Sequence, residues 1–299
     1  MDGADASGGQ AGCPSGSDGL AGASRAGLDR DPCGQRRGEA VTKARFAATA
    51  ERLAALGVER IEGLRQRVGS LLELRGNEVV VDAAAGTGPM AMALAPLVRE
   101  VIAVDLVPEM LDQGRRAARS SANIRWLEGD VYALPLEDRS VDAAAIVRTL
   151  HHLDRPGVAV AELARVVKRG GSVLVVDQVA SEHPRDRALY ERIEVLRDPS
   201  HVRTLTGTEV RRLLAEAGLA LVQAYSEPDE RDLAAFVELA GCDAATRDAV
   251  FAYVEELVER WETAGVGLRR AERGFRFTGT VGWYVGRADG EPVGGGRGG

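Results

Sequence analysis

The chain has 299 residues, with 38 basic against 45 acidic side chains and a formal net charge of -7, so a phosphate backbone meets net repulsion and nucleic acid is excluded as a partner. Its 45% hydrophobic content suffices for one large core or two smaller ones, yet no apolar run reaches the ~18 residues of a membrane span. Cys13, Cys33 and Cys242 are odd in number and far apart, and no basic start leads into an apolar stretch; this excludes a disulfide framework and a metal site and predicts a cytoplasmic protein.

Residues 1–38 are rich in Gly, Ala, Ser and Asp without hydrophobic period, and are expected to be disordered. From Glu39 to Leu72 apolar residues recur at threes and fours, and Gly57 divides the pattern into two helices. Glu78 to Ala93, EVVVDAAAGTGPMAMA, is a buried strand, a turn of small residues and an apolar helix with Pro89 in its first turn. Strands follow at Val101–Asp105, Ile124–Glu128, Val141–Val147 and Ser172–Asp177, separated by helices at Pro108–Ala118 and Pro156–Lys168; Gly170 and Gly171 end the second helix. This alternation predicts an α/β fold, a doubly wound, mostly parallel Rossmann-like sheet. Farther on, helices are expected within Glu182–Ser200 and over Thr208–Ala217, Asp232–Ala240 and Ala244–Ala264. A sixth strand is expected over Leu219–Tyr225 and a seventh, antiparallel at an edge, over Phe275–Gly286. The face from Asp243 to Trp261 serves packing or a homodimer contact, and 288–299 form a flexible tail.

The glycine turn admits two nucleotide readings. Gly86-Thr-Gly88-Pro-Met-Ala91 fits the loose dinucleotide fingerprint, with Asp105 about twenty residues on to take ribose hydroxyls. S-adenosylmethionine is the other, and three features favour it. Asp82 lies ahead of the glycines, where a carboxylate would crowd a pyrophosphate but can pair with an ammonium. Asp130 follows the third strand, where it can accept from an adenine amine. No Arg or Lys stands near Gly86 to neutralise phosphate.

The runs VVVDAAAGTG, VIAVDLVPEML, LEGDVYALPLEDRSVDAA, RTLHHLDRP and ELARVVKRGGSVLVVD, in this order, resemble the class I S-adenosylmethionine-dependent methyltransferases of the ubiquinone/menaquinone-methylase-like kind. The resemblance spans about Val41 to Arg287 and implies one domain over 39–287: N-terminal helices (39–77), a cofactor-binding core (78–180), a lid (181–218) and C-terminal strands and helices (219–287). It also implies that Asp82, Ala84, Gly86, Thr87 and Gly88 border the methionine part. Asp105 would take the ribose hydroxyls with Leu106 against the adenine, Met110 would be a further cofactor contact, Asp130 and Val131 would flank the adenine, and Arg148 would offer backbone near the methionine end. Two residues depart from the family pattern. Ala84 stands where its first glycine is usual, and Leu53 where relatives often carry a tyrosine over the cofactor. The later run RDPSHVRTLTGTEVRRLLAEAGL resembles one bacterial branch of the family.

Methyl transfer from a sulfonium needs alignment and, for many acceptors, a base. His151 and His152 follow the fourth strand, and His152 is the favoured base; Asp177 ends the fifth strand at the same mouth. Arg197 to Arg203 concentrates charge between helices, so Asp198, His201 and Arg203 join Asp177 as substrate-facing residues on a lid. The expected function is methyl transfer to carbon or oxygen of a small molecule in secondary metabolism or quinone-like biosynthesis. The alternative is a non-methylating, cyclase-like enzyme that also binds the cofactor.

Overall fold

Three consecutive valines open strand β1 (Val79–Ala83), which is buried on both faces. In this computed structural model, which describes residues 39–58, 61–260 and 266–288, β1 pairs in parallel with β2 (Glu100–Asp105) on one side and β4 (Val141–Val147) on the other. The expected disordered segment 1–38 and all but Ala288 of the expected tail lie outside the described residues. Strand β3 (Ile124–Glu128) continues the sheet beyond β2, and β5 (Val167–Gln178) continues it beyond β4. Antiparallel β8 (Phe275–Ala288) adds to β5, and β6 (Leu219–Asp232) adds to β8, giving the order β3-β2-β1-β4-β5-β8-β6. A two-residue β7 (Arg269–Arg270) pairs with the start of β8.

Helices cover both faces. Val80 points to a core shared with α2 (Ile61–Leu71) and α3 (Pro89–Leu94), while Val81 points to one shared with α5 (Pro156–Val166) and α7 (Gly207–Glu216). That division is the period-two alternation of a strand buried on both sides. Prolines open α3, α4 (Pro108–Ala117), α5 and α6 (Pro184–Arg197), where a missing N–H costs nothing. Thr206 and Glu209 form a capping box at α7. A further core joins α6, α8 (Leu233–Leu239), α9 (Ala244–Glu259) and the start of β8, through Tyr190, Ile193, Phe236, Val250 and Phe277. The inner face of α9 is thus packing. Helix α1 (Glu39–Val58) lies against α4 and buries Ala50 on Val107 and Met110.

Three sequence expectations are corrected. The helix before Gly170 stops at Val166, and β5 begins at Val167 and runs through both glycines. A bulge opposite Val141–Ala143 absorbs Gly170 with φ at 73°, and a Cβ on Gly171 would collide with the Asp142 carbonyl. Strand β8 is interior, not an edge, because β6 runs to Asp232 and pairs along its whole length. The sheet therefore has eight strands among the described residues, the eighth being the short β7. No helix among these residues is long and apolar enough to cross a membrane.

Candidate active site at the sheet switch point

Strand order reverses between β1 and β4, and the carboxyl ends of these strands open the crevice where such sheets bind ligands. Two of the four non-glycine residues with positive φ stand there, Ala84 at 55° and Arg148 at 51°. In both, the chain leaves a strand faster than ordinary backbone allows, at a cost of about 1–2 kcal/mol each. Ala84→Gly should raise stability by about 0.5–1 kcal/mol, the relief of strain less the extra unfolded-state entropy of glycine. Thermal melts would show this as a rise of roughly 1–4 °C; an unchanged or lower melting temperature would mean that the turn carries no strain at Ala84.

The rest of the turn is built around space for a ligand. Gly86 has φ 57°, and a Cβ there would have no neighbour within 4 Å. Gly88, at φ 79°, differs. A Cβ on it would overlap the Trp126 ring, and the same edge of that ring is also packed against Gly114. The indole cannot swing away, so Gly88→Ala should destabilise the protein by about 2–4 kcal/mol, combining overpacking with left-handed strain. Gly114→Ala should do nearly the same by denaturant titration. Thr87 is buried between the two glycines.

Electrostatics single out the strand ends. Asp82 is 1% exposed, and its Oδ2 has no hydrogen-bond partner among the described residues. Burial, with some repulsion from Asp105, pushes its carboxyl up to about 8. Asp105 accepts the Gly86 N–H at 2.7 Å and the Val107 N–H at 2.9 Å, tying β2 to the glycine turn; burial raises its carboxyl as well. Two buried acids with no cation acting on either suit a ligand that brings positive charge. An orphaned carboxylate oxygen at Asp82 and open backbone at Gly86 fit an aminoacyl tail with an ammonium group.

The other expected cofactor residues divide into turn and packing. Asp130 Oδ1 accepts the Tyr132 N–H at 2.9 Å, a local turn that places Gly129 and Val131 beyond β3. Val131 is buried in the β1–α5 core, Leu106 is half-buried, and Met110 packs under α1. Leu53 also packs on the Val107–Met110 cluster, so α1 covers this edge with an aliphatic contact. The Arg148 N–H donates to Val176 O at 2.7 Å, and its guanidinium reaches Asp229 at 3.0 Å, joining the mouth to β6.

A short 3-10 turn over Leu150–His152 then presents two imidazoles. His151 Nδ1 lies 2.7 Å from Asp177 Oδ1, on the end of β5. Burial alone would raise the Asp177 carboxyl; His151 and the Gln178 N–H outweigh it and hold the group below its usual range. A carboxylate can only accept, so Nδ1 carries a proton, and in the neutral imidazole the lone pair is on Nε2. His152 Nδ1 donates instead to Ser200 O at 3.0 Å, and its ring meets Phe46 edge-on at 5.1 Å. Burial first, and the adjacent His151 second, push its imidazole down to about 3. Of the adjacent pair, His151 is the one with an anionic partner, while His152, the base expected from sequence, meets a carbonyl and an aromatic edge.

The lid segment is pinned above these rings. Val202 and Arg203 donate their N–H groups to His151 O at 2.9 and 3.2 Å. Asp198 is buried against Arg45 of α1 at 2.7 Å and accepts from Ser200 Oγ at 2.6 Å. His201 Nε2 lies 2.7 Å from Glu191, with its ring 5.9 Å from that of His151. Arg203 does not join them: its side chain is exposed and pairs with the capping residue Glu209 at 2.5 Å. Sequence reasoning missed Arg45, Phe46, Glu194 and Trp126. The Glu194–Arg197 spacing of three reads as a solvated surface pair, yet Glu194 is 0% exposed.

A family model for the methyltransferase domain matches residues 81–175, from the middle of β1 into β5. YafE of Escherichia coli is 30% identical over 168 residues, 56% of this chain and 81% of the relative. The chain belongs to the class I S-adenosylmethionine-dependent methyltransferase family. Within it, the methyltransferase YcgJ of Bacillus subtilis is 34% identical over 164 residues, 54% of this chain; the match spans 65% of YcgJ, just under two thirds of its length. The YcgJ crystal structure superposes with a TM-score of 0.67 and 25% identity, covering 77% of this chain and all of that one. The demethylmenaquinone methyltransferase of Clavibacter sepedonicus is 30% identical over 165 residues, 55% of this chain and 65% of the relative. The family model ends within β5, so Glu194, Asp198 and His201 lie outside the matched segment.

Proposed function

We propose that the protein transfers a methyl group from S-adenosylmethionine to a hydroxyl group of a small molecule, with His151 as the base. The observation that carries this reading is the His151–Asp177 pair beside the β1 turn, at the switch point of the sheet. Bound S-adenosylmethionine supplies an activated methyl on a sulfonium. Asp82 accepts its ammonium group, Gly86 and Gly88 bring backbone close, and Asp105 takes the ribose hydroxyls. Leu106, Met110, Asp130 and Val131 form the adenine side. His151 Nε2 removes the acceptor proton, and Asp177 steadies the imidazolium that results. Asp198 holds the lid against α1 through Arg45. The Clavibacter relative, by name a demethylmenaquinone methyltransferase, supports a quinone-like acceptor. A non-methylating cyclisation is separated by one experiment: S-adenosylhomocysteine release coupled to product. Stoichiometric release supports transfer; a transformed product of unchanged mass, without release, would overturn it.

A further inference from the structure

Several buried polar atoms near the His151–Asp177 pair have no partner among the described residues, and Tyr190 lies between two of the residues that carry them. Glu194 is fully buried; Arg197 Nη2 donates to its Oε2 at 2.6 Å, while Oε1 has no partner among the described residues. Gln178, next to Asp177, accepts from Tyr190 Oη at 3.2 Å through Oε1 and leaves Nε2 unpartnered. The Tyr190 hydroxyl in turn abuts Glu194; burial and that carboxylate together raise its pKa. Thr204 Oγ1 and His201 Nδ1 are buried and unpartnered as well. Burial works to raise the Glu194 carboxyl, but Arg197, His151 and His201 bring it down to about 2, so the group is ionised at neutral pH.

Unpaired buried polar atoms of this kind cost about 1–3 kcal/mol each unless something meets them. The set is chemically specific. Glu194 Oε1 only accepts and Gln178 Nε2 only donates, so the pair matches a hydroxyl, which does both. Gln178 directly follows Asp177, the partner of His151, where the first hydroxyl would be deprotonated. Resting on the methyl-transfer reading above, we propose that Glu194 determines acceptor specificity by binding a second hydroxyl, so that the acceptor carries two neighbouring hydroxyls, as a catechol ring does. In the transfer step the reacting oxygen forms its bond to the methyl carbon, the carbon–sulfur bond breaks with its electron pair going to sulfur, and the proton goes to His151. Glu194 exchanges no proton; it positions the acceptor.

The test uses the full chain loaded with S-adenosylhomocysteine and calorimetric titration with catechol and with phenol. A hydrogen bond to a buried charge predicts at least tenfold tighter binding of catechol. Glu194→Gln should reduce that preference to within threefold while S-adenosylhomocysteine affinity stays unchanged, a change in selectivity that a purely structural role would not produce. Glu194→Asp, which keeps a charge beside Arg197 but withdraws the oxygen, carries the same test if melting shows the Gln variant unfolded. Equal affinity for catechol and phenol, no binding of catechol, or a preference that survives substitution would overturn the proposal. Failure of the wild type to bind S-adenosylhomocysteine would instead overturn the proposed function.

Discussion

Replacing His151 by Ala should lower turnover at saturating S-adenosylmethionine by about 100- to 10,000-fold, the usual worth of a general base. His152→Ala should cost less than tenfold. The two rings are adjacent in sequence and their centroids are 4.1 Å apart, so the contrast tests orientation and partner, not location. His151 has an anionic partner; His152 has a carbonyl and an aromatic edge, and a second imidazole that opposes charge. Asp177→Asn should resemble His151→Ala, since an amide can donate to Nδ1 and favour the wrong tautomer. The readout is S-adenosylhomocysteine formation with a turned-over acceptor, alongside cofactor affinity, which all three variants should retain. Equal losses for His151→Ala and His152→Ala would remove the assignment.

The second large effect concerns Asp82. Its folded-state carboxyl titrates near 8, against about 3.9 in an unfolded chain. Between roughly pH 4 and pH 8 the native state holds a proton that the unfolded state has released, so stability of the free protein falls as pH rises through that window. Asp82→Asn removes the titration. At pH 8 it should stabilise the free protein by about 3 kcal/mol, while at pH 4 the two proteins should melt alike. The same substitution should weaken S-adenosylmethionine binding by about 100-fold or more, because the ammonium then faces a buried neutral amide. Gain of stability with loss of binding is expected at a site kept for function. Melts across the pH range and calorimetry check both halves; a variant that binds normally would show that Asp82 does not hold the tail.

Most of the β1 turn and its neighbouring strand ends could be read from sequence because they are local. Val79 to Val81, the glycines of the turn, the acids at strand ends and the prolines at helix starts each state a backbone requirement within a few residues. Even the departure at Ala84 was visible, and it appears as left-handed backbone. The acceptor side was not legible in the same way. Whether His151 or His152 faces Asp177 depends on a single 3-10 turn. Glu194 is buried because α8, α9 and the start of β8 close a separate core around α6, and these elements begin about forty residues or more away in sequence. Strand β8 was readable as a strand, but its interior place depends on how far β6 extends. The helix stop at Gly170 failed for a related reason: a glycine pair that can cap a helix can equally make a bulge, and the partner strand decides.

The central claim is that the β1 turn, with Asp82 at its base, seats a cationic nucleoside and not a dinucleotide. Calorimetric titration of the full chain with S-adenosylmethionine and with NAD near pH 7, each in two buffers of different ionisation enthalpy, tests it most directly. The account predicts one site for S-adenosylmethionine, close to one proton released per cofactor as Asp82 ionises, and no binding of NAD. Tight NAD binding with no response to S-adenosylmethionine would contradict it.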